Sequence, residues 1–222
     1  MNNNEIQAKI KKAYNYVRYY FMRLPTITRY LVITLMVVYI LGKFFNPYFF
    51  VLKGFGNGFN PLQLVSYAFI SFDFTQLLFS VLAIWLFGYQ IEEYWGQKRF
   101  VIFALVCIIA TAVAHLLLGS MFAVGISGLV FALLLAYGMM WPEREVYLLL
   151  PPIPVKAKYL VMIYAAIMFI SMLGSAAGFI SQLGYLAGPL SGYLLIQYWR
   201  GKPPFNKKLP KKKSNGKIYR VK

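Results

Sequence analysis

The sequence VGISGLVFALLLAYGMMWPER, residues 124–144, contains an apolar run that begins with a serine between glycines. The run fits a membrane span over about residues 126–142, because a spanning helix needs roughly 20 mostly apolar residues. The segment before it, LGSMFAVG, carries no charge. Irregular backbone at membrane depth is tolerated only where protein or a water-filled cavity covers it. The start of this span is therefore predicted to lie at a functional site.

Five more apolar runs accompany this one, and together they predict an all-α membrane protein with six transmembrane helices. Of the 222 residues, 60% are apolar and only 13% are charged, which is untypical of soluble domains. The predicted membrane domain, 26–200, lies between a basic amphipathic segment, 1–25, and a basic tail, 201–222, that is expected to be disordered. The predicted spans are 27–45, 76–95, 100–119, 126–142, 157–175 and 180–199.

The net charge of +17 is concentrated at the two ends of the chain, with ten of 23 Lys and Arg in 200–222 and five in 1–25. The links on the same predicted side hold most of the remaining cations, namely Lys98, Arg99, Arg144, Lys156 and Lys158. The opposite loops hold little beyond Lys53. The positive-inside rule then predicts that both termini are cytoplasmic, in a bacterial cytoplasmic (inner) membrane.

The basic tails are expected to contact anionic lipid. A contact of the C-terminal tail with a ribosome or nucleic acid is a less favoured alternative, and no specific nucleic acid is expected as a partner. Between the first two spans, residues 46–74 are aromatic and nearly uncharged. This segment is predicted to lie half within the outer interface of the membrane.

Few residues in the spans can carry chemistry. One cysteine, Cys107, excludes a disulfide framework, and one histidine, His115, with scattered carboxylates cannot build a metal cluster. No cofactor is expected. In GISG, the glycines leave free amide groups beside the hydroxyl of Ser127, as an acyl-transfer nucleophile at a helix N-terminus requires. From these four residues alone, a small residue at a tight helix crossing is the favoured alternative.

Three glycines at four-residue steps, Gly184, Gly188 and Gly192, form one stripe along the last predicted span. Such stripes usually serve close helix packing in membranes. The predicted partner is the fourth span with its own glycines. That packing would bring Tyr185, which lies beside the stripe, close to Ser127.

Four stretches, in order, resemble the rhomboid family of intramembrane serine proteases from about residue 61 to residue 192. They are NPLQLVSYAFISFDF, LLFSVLAIWLFGYQIEEYWGQKRF (with Gly88, Glu92, Trp95, Gly96 and Phe100 in the family's spacing), VGISGLVFALLLAYGMMWPER and GYLAGPLSGYLL. The resemblance implies the rhomboid fold, with six helices and a hydrophilic cavity open to the outer face.

The resemblance also assigns roles to single residues. Ser127 matches the nucleophile, Gly125 and Gly128 match the motif glycines, and Phe131 matches the aromatic residue that packs against the catalytic imidazole. The register of Gly188 and Gly192 aligns the family's catalytic histidine with Tyr185. The histidine and asparagine that help to bind the oxyanion align with Gln76 and Ser80, and a further histidine of the family aligns with Ser71.

These departures weaken the expected catalysis. A serine hydroxyl is a poor nucleophile unless a neighbouring base takes its proton. A tyrosine has an unperturbed pKa of about 10, so at neutral pH Tyr185 is a hydrogen-bond donor rather than a base. Gln76 and Ser80 still offer donors for an oxyanion. The lost base, rather than the oxyanion site, is therefore expected to limit proteolysis.

Two other polar residues are given structural roles. His115 precedes Ser127 by twelve positions and is an alternative base, but the resemblance places the base on the sixth helix. A lone histidine among apolar residues more often serves packing. Glu92 lies far from Ser127 and is interpreted as a structural partner for Arg or backbone donors.

Three hypotheses follow from the sequence. The first is a rhomboid pseudoprotease that binds transmembrane segments or partner membrane proteins with little or no cleavage. The second is an active intramembrane serine endopeptidase that uses Ser127 with Tyr185 or His115 as a non-standard base. The third is a membrane anchor whose functional part is the basic tail.

Overall fold

The computed structural model describes residues 25–54, 58–119, 122–147, 154–172 and 176–200. The predicted N-terminal segment and the basic tail lie outside these residues. The described chain is built around long helices, in agreement with the predicted all-α class. The helices are α1 (Thr26–Phe44), the short α2 (Gln63–Ser66), α3 (Phe74–Trp95), α4 (Gln97–Leu117), α5 (Ser127–Met140), α6 (Ala157–Met172) and α7 (Ala176–Trp199).

Six of these helices correspond in order to the six predicted spans, with bounds that differ by a few residues. Three of them, α1, α3 and α4, are each long and apolar enough to cross a membrane. Helix α5 is apolar but has only 14 residues, which gives about 21 Å at 1.5 Å per residue. The count of six spans stays a prediction. The middle of α3, Ile84–Gly88, is π-helical.

Two small antiparallel sheets join the ends of the helices. In the first, β1 (Leu52–Lys53) pairs with β2 (Phe122–Ala123). In the second, β3 (Glu145–Tyr147) pairs with β4 (Pro154–Lys156). The β1–β2 pair ties the segment between α1 and α3 to the chain just before α5. This segment (residues 46–54 and 58–72) is hereafter named the outer segment, after the side of the membrane on which the sequence predicts it.

The core lies where α7 packs against α4 and α5, with α3 on the other side of α5. Helix α1 is the most peripheral of the long apolar helices, since most of its residues face outward. The largest fully buried side chains of the described chain include Tyr67, Tyr137, Phe100 and Phe103. The outward faces carry exposed Ile, Leu, Phe and Tyr side chains, as expected of helices surrounded by lipid.

Glu92 closes the end of the bundle that is remote from Ser127. Its two carboxylate oxygens accept hydrogen bonds from the amides of Ile27 (2.9 Å) and Thr28 (2.7 Å) and from the Thr28 hydroxyl (2.7 Å). The side chain therefore caps the N-terminus of α1 from another helix, where free amides and the helix dipole favour negative charge. The interpretation of Glu92 as a partner of backbone donors agrees with these bonds.

Aromatic contacts at this same end bring together the ends of three helices. Trp95 stacks edge-on against Trp199 at 5.4 Å between ring centroids, and Tyr94 does so against Trp141, also at 5.4 Å. Most of the described cations lie at this end, namely Arg29, Lys98, Arg99, Arg144, Lys156, Lys158 and Arg200. The opposite end carries Lys43 and Lys53. The charge asymmetry that the sequence predicts is therefore present between the two ends of the bundle.

Candidate active site around Ser127

Ser127 is the first residue of α5 and is half-buried. The preceding Gly125 has φ +90°, a conformation that L side chains rarely adopt, so a glycine is needed there. Its amide donates a hydrogen bond to the carbonyl of Tyr67 at 2.9 Å. The outer segment thus holds the chain in place two residues before the serine.

The first turn of α5 places backbone amides that the helix itself does not pair beside the Ser127 hydroxyl. The amide of Val130 donates to the carbonyl of Ile126 at 3.0 Å. The amides of residues 127–129 precede that bond and have no acceptor four residues earlier within the helix. An oxyanion formed at Ser127 would therefore lie near helix N-terminal amides, where the dipole favours negative charge.

Gly128 and Gly188 allow α5 and α7 to approach at backbone distance. A side chain on Gly188 would overlap the carbonyl group and the Cα of Gly128, and one on Gly128 would overlap the side chain of Thr111 on α4. Farther along the stripe, a Cβ on Gly192 would meet the ring of Phe103 at 3.0 Å and Ala132 at 3.3 Å. The glycine stripe of α7 thus lies in the crevice between α4 and α5.

Tyr185 projects from this stripe toward the loop that leads to Ser127. Its hydroxyl donates a hydrogen bond to the carbonyl oxygen of Val124 at 2.7 Å. A phenol has one hydrogen to donate, so that hydrogen is used by the backbone. Among the described residues, no hydrogen bond joins the Ser127 hydroxyl to Tyr185.

His115 is brought to the same place, which its position in the sequence did not indicate. The imidazole is buried near the C-terminal end of α4 and stacks edge-on against the ring of Tyr185, with 4.7 Å between ring centroids and an interplanar angle of 83°. It occupies the space above Gly184, where any side chain would overlap it. The one signal for this contact is Gly184 itself, which marks a position on α7 where a bulky group approaches.

Gln76 and Ser80 lie on α3, one helical turn apart. The amide nitrogen of Gln76 is 2.5 Å from the place that a Cβ on Gly125 would take. This amide therefore lies directly beside the loop that joins β2 to α5 (residues 124–126), hereafter the Ser127 loop. Ser80 is buried one turn farther into the bundle. The residue at the predicted oxyanion position, Gln76, is thus close to the loop and carries an amide donor.

The structure brings most of the predicted site residues together at one end of the bundle. Phe131 follows Ser127 by one helical turn on α5 and is half-buried. No group of three or more His, Cys, Asp or Glu side chains that could hold a metal ion is found in the described ranges. The arrangement offers a serine hydroxyl and amide donors. The residue at the base position, Tyr185, is a phenol whose hydroxyl donates to the backbone.

Comparison with known proteins gives one family. A family model described as a Rhomboid domain matches residues 59–201. This range includes the outer segment from Phe59 onward and all helices from α2 to α7. A search of the curated proteins found no match.

Proposed function

Because the chain belongs to the rhomboid family and is a multi-pass membrane protein with that family's all-α fold, we propose that it binds transmembrane segments without cleaving them efficiently. The observation that supports this most directly is the hydrogen bond from Tyr185 to the Val124 carbonyl. A rhomboid protease needs a proton acceptor at this position. Here the side chain is a donor, and its hydrogen is already engaged.

The absence of a base should lower the rate of proteolysis strongly, because the serine needs a neighbouring group that takes its proton. An imidazole takes the proton of the serine and later returns it to the leaving amine. A neutral phenol does neither at pH 7. The removal of one member of a catalytic triad lowers the rate by about 10⁴-fold or more. The amides at the start of α5 and the Gln76 amide can still bind a carbonyl, which suits a site that holds a peptide segment without cutting it.

The packing of the helices suggests how a transmembrane segment would reach the site. Helix α5 contacts both α3 and α6, whereas α3 and α6 are not closely packed against each other over the described residues. Phe79 lies on α3 between Gln76 and Ser80 and is exposed. A segment that enters beside α3 would pass Phe79 and reach the Ser127 loop.

A photoreactive residue at position 79 tests this binding. We expect it to crosslink to transmembrane segments of other membrane proteins, or to a model transmembrane peptide, in native membranes. The matched control is the same photoreactive residue at Ile109, which is exposed to lipid on α4. Equal crosslinking from both positions would mean that the protein contacts such segments only by chance in the bilayer.

A rescue experiment tests whether the base is the missing part. We expect Tyr185→His, combined with Gln76→His and Ser80→Asn, to gain cleavage of a model transmembrane substrate. The control adds Ser127→Ala to the same variant and should remove the gain. A folded triple variant that stays inactive would contradict the statement that the base limits this site.

The contact between His115 and Tyr185 favours one competing function, an intramembrane serine endopeptidase with a non-standard base. In that case the imidazole would accept the proton of Ser127, directly or through the Tyr185 hydroxyl. The wild-type protein would then cleave a transmembrane substrate, and His115→Gln or Tyr185→Phe would abolish the cleavage. Under the binding function the wild type is inactive, and neither substitution changes that.

A further inference from the structure

An apolar groove of about 420 Å³ lies between the C-terminal half of α1 and the outer segment. Its volume is in the range of small-molecule sites in proteins. The groove does not include Ser127 or any residue of the candidate active site. Its walls are mostly hydrocarbon, with Val38, Leu41, Phe45, Phe50, Phe69 and Ile70 among the lining residues.

Two of the three polar side chains that line the groove, Asn46 and Ser66, form hydrogen bonds within the outer segment, and the third is Thr34. Asn46 accepts a hydrogen bond from the amide of Tyr48 at 3.0 Å, and the Ser66 hydroxyl donates to the carbonyl of Phe50 at 2.9 Å. These groups stabilise the turn of the outer segment. The wall therefore offers a hydrocarbon surface, and an apolar chain is the occupant that fits it.

A second, smaller cavity of about 30 Å³ continues the groove at its polar end. The two share Val38, Gly42, Pro47 and Ile70, and the smaller one is also lined by Lys43 and Ser71. Its size allows one water molecule or one oxygen of a ligand. An apolar groove thus ends at a cation and a hydroxyl.

Ser71 provides an independent sign of a missing polar partner. The residue is 9% exposed, its Oγ is buried, and within the described parts of the chain this atom has no hydrogen-bond partner. Such a buried hydroxyl costs free energy unless it is hydrogen-bonded. An acceptor oxygen in the small cavity would receive its hydrogen.

Lys43 lies at the depth where lipid phosphates are expected. Helix α1 has 19 residues, which gives a length of about 28 Å, close to the roughly 30 Å of a bilayer's hydrocarbon core. The last turn of α1 is therefore at one boundary of the membrane. The ammonium of Lys43 is 4.8 Å from the centroid of the Tyr39 ring, which holds it beside the helix.

We propose that this pair of cavities binds a glycerophospholipid. One acyl chain fills the groove between α1 and the outer segment, and the phosphodiester accepts hydrogen bonds from Lys43 and Ser71. The residues that line this site do not include Ser127, Tyr185 or Gln76. A bound lipid would stabilise the outer segment, which holds the Ser127 loop through Tyr67 and the β1–β2 pair.

Photocrosslinking tests the proposal in nanodiscs of defined lipid. Full-length protein is reconstituted with a trace of phosphatidylglycerol that carries a diazirine in one acyl chain, and labelled peptides are mapped. We expect enriched labelling in residues 34–50 and 66–70. The outward face of α4 provides an internal control for bulk lipid, because its open apolar surface (Val106, Ile109, Val113 and Leu117) has no polar or charged side chain.

Substitutions distinguish a specific lipid-binding site from non-specific contact with the bulk lipid. Gly42→Leu should fill the groove and remove the enrichment, whereas Gly42→Ala should keep it, because a Cβ there meets only Pro47 at ordinary distances of 3.8 and 3.9 Å. Lys43→Gln should weaken labelling by about fivefold. Adding Ser71→Ala to that variant should weaken the labelling further. The charge control is Lys53→Gln, a cation at the same end that does not line the groove.

Several results would overturn the proposal. One is labelling of the groove at the same level as the α4 face. Another is enrichment that Gly42→Leu or Lys43→Gln leaves unchanged. A third is an unlabelled groove together with a dimer that Gly42→Leu disrupts, since a second copy would then be the occupant.

Discussion

The two ends of the helix bundle use their polar side chains in the same way, although only one of them contains a candidate nucleophile. At the remote end, Glu92 accepts three hydrogen bonds from the start of α1. At the other end, Tyr185 donates its hydrogen to the carbonyl of Val124. In both places a side chain on one helix satisfies the backbone of another part of the chain.

The difference lies in what the fold needs from each end. The remote end needs an anion at the N-terminus of α1, and Glu92 supplies one. The Ser127 end of a protease would need a proton acceptor that is free to approach the serine. The structure shows a donor that stabilises the loop instead. The comparison indicates that, like Glu92, Tyr185 serves the architecture.

The largest expected effect concerns the remote end. Glu92→Ala leaves two amides and a hydroxyl without their acceptor, which should lower the free energy of unfolding by about 3 kcal/mol. Glu92→Gln keeps one acceptor oxygen and should lose about half as much. Denaturation in mild detergent measures both. If Glu92→Ala lowers the free energy of unfolding as little as Tyr185→Phe does, the hydrogen bonds to Glu92 do not stabilise the remote end as described.

The next largest effect on stability is expected from the glycine stripe of α7, which runs between the two ends of the bundle. Gly188→Ala forces a methyl group against the backbone of Gly128, and overpacking of this kind costs about 1–3 kcal/mol. Gly192→Ala meets Phe103 at 3.0 Å and Ala132 at 3.3 Å and should cost less. Thermal unfolding of the two variants should rank them in this order. The reverse order would show that α5 and α7 do not depend on the backbone contact near Ser127.

A smaller effect is expected from Tyr185→Phe. The ring and its contact with His115 remain, and one hydrogen bond is lost, so the free energy of unfolding should fall by about 1 kcal/mol. Faster hydrogen exchange at the amides of residues 123–126 would locate the change. If Tyr185→Phe leaves both quantities unchanged, the hydroxyl does not stabilise the loop.

The smallest effect concerns the exposed link between α5 and α6. Glu143 accepts hydrogen bonds from Lys158 (2.5 Å) and Lys156 (3.0 Å), which lower the pKa of its carboxyl. The resulting stabilisation is present above the ordinary pKa of a glutamate and is lost as the pH falls through the lowered value. Amides in 145–147 and 154–156 should therefore exchange more slowly than in Glu143→Gln at neutral pH. The two proteins should converge in acid, and a gap that persists there would exclude the ion pairs as the cause.

Much of this architecture could be predicted from the sequence, because apolar runs of about 20 residues and four-residue glycine steps each have one simple physical interpretation. The stripe on α7 contacts α5 at Gly188, as the sequence suggested. It also contacts α4, where Gly184 accommodates His115. The resemblance could align Tyr185 with the base position but not reveal the acceptor of its hydrogen. That acceptor, the Val124 carbonyl, lies 61 residues away in the chain.

The most direct test of the account is the labelling of Ser127 by a fluorophosphonate probe, compared among the wild type, Ser127→Ala and Tyr185→His. The probe reacts with a serine whose proton a neighbouring base can take. We expect the wild type to label no more than Ser127→Ala, and Tyr185→His to label more than both. Strong wild-type labelling that disappears in Ser127→Ala would contradict the statement that this site lacks a working base.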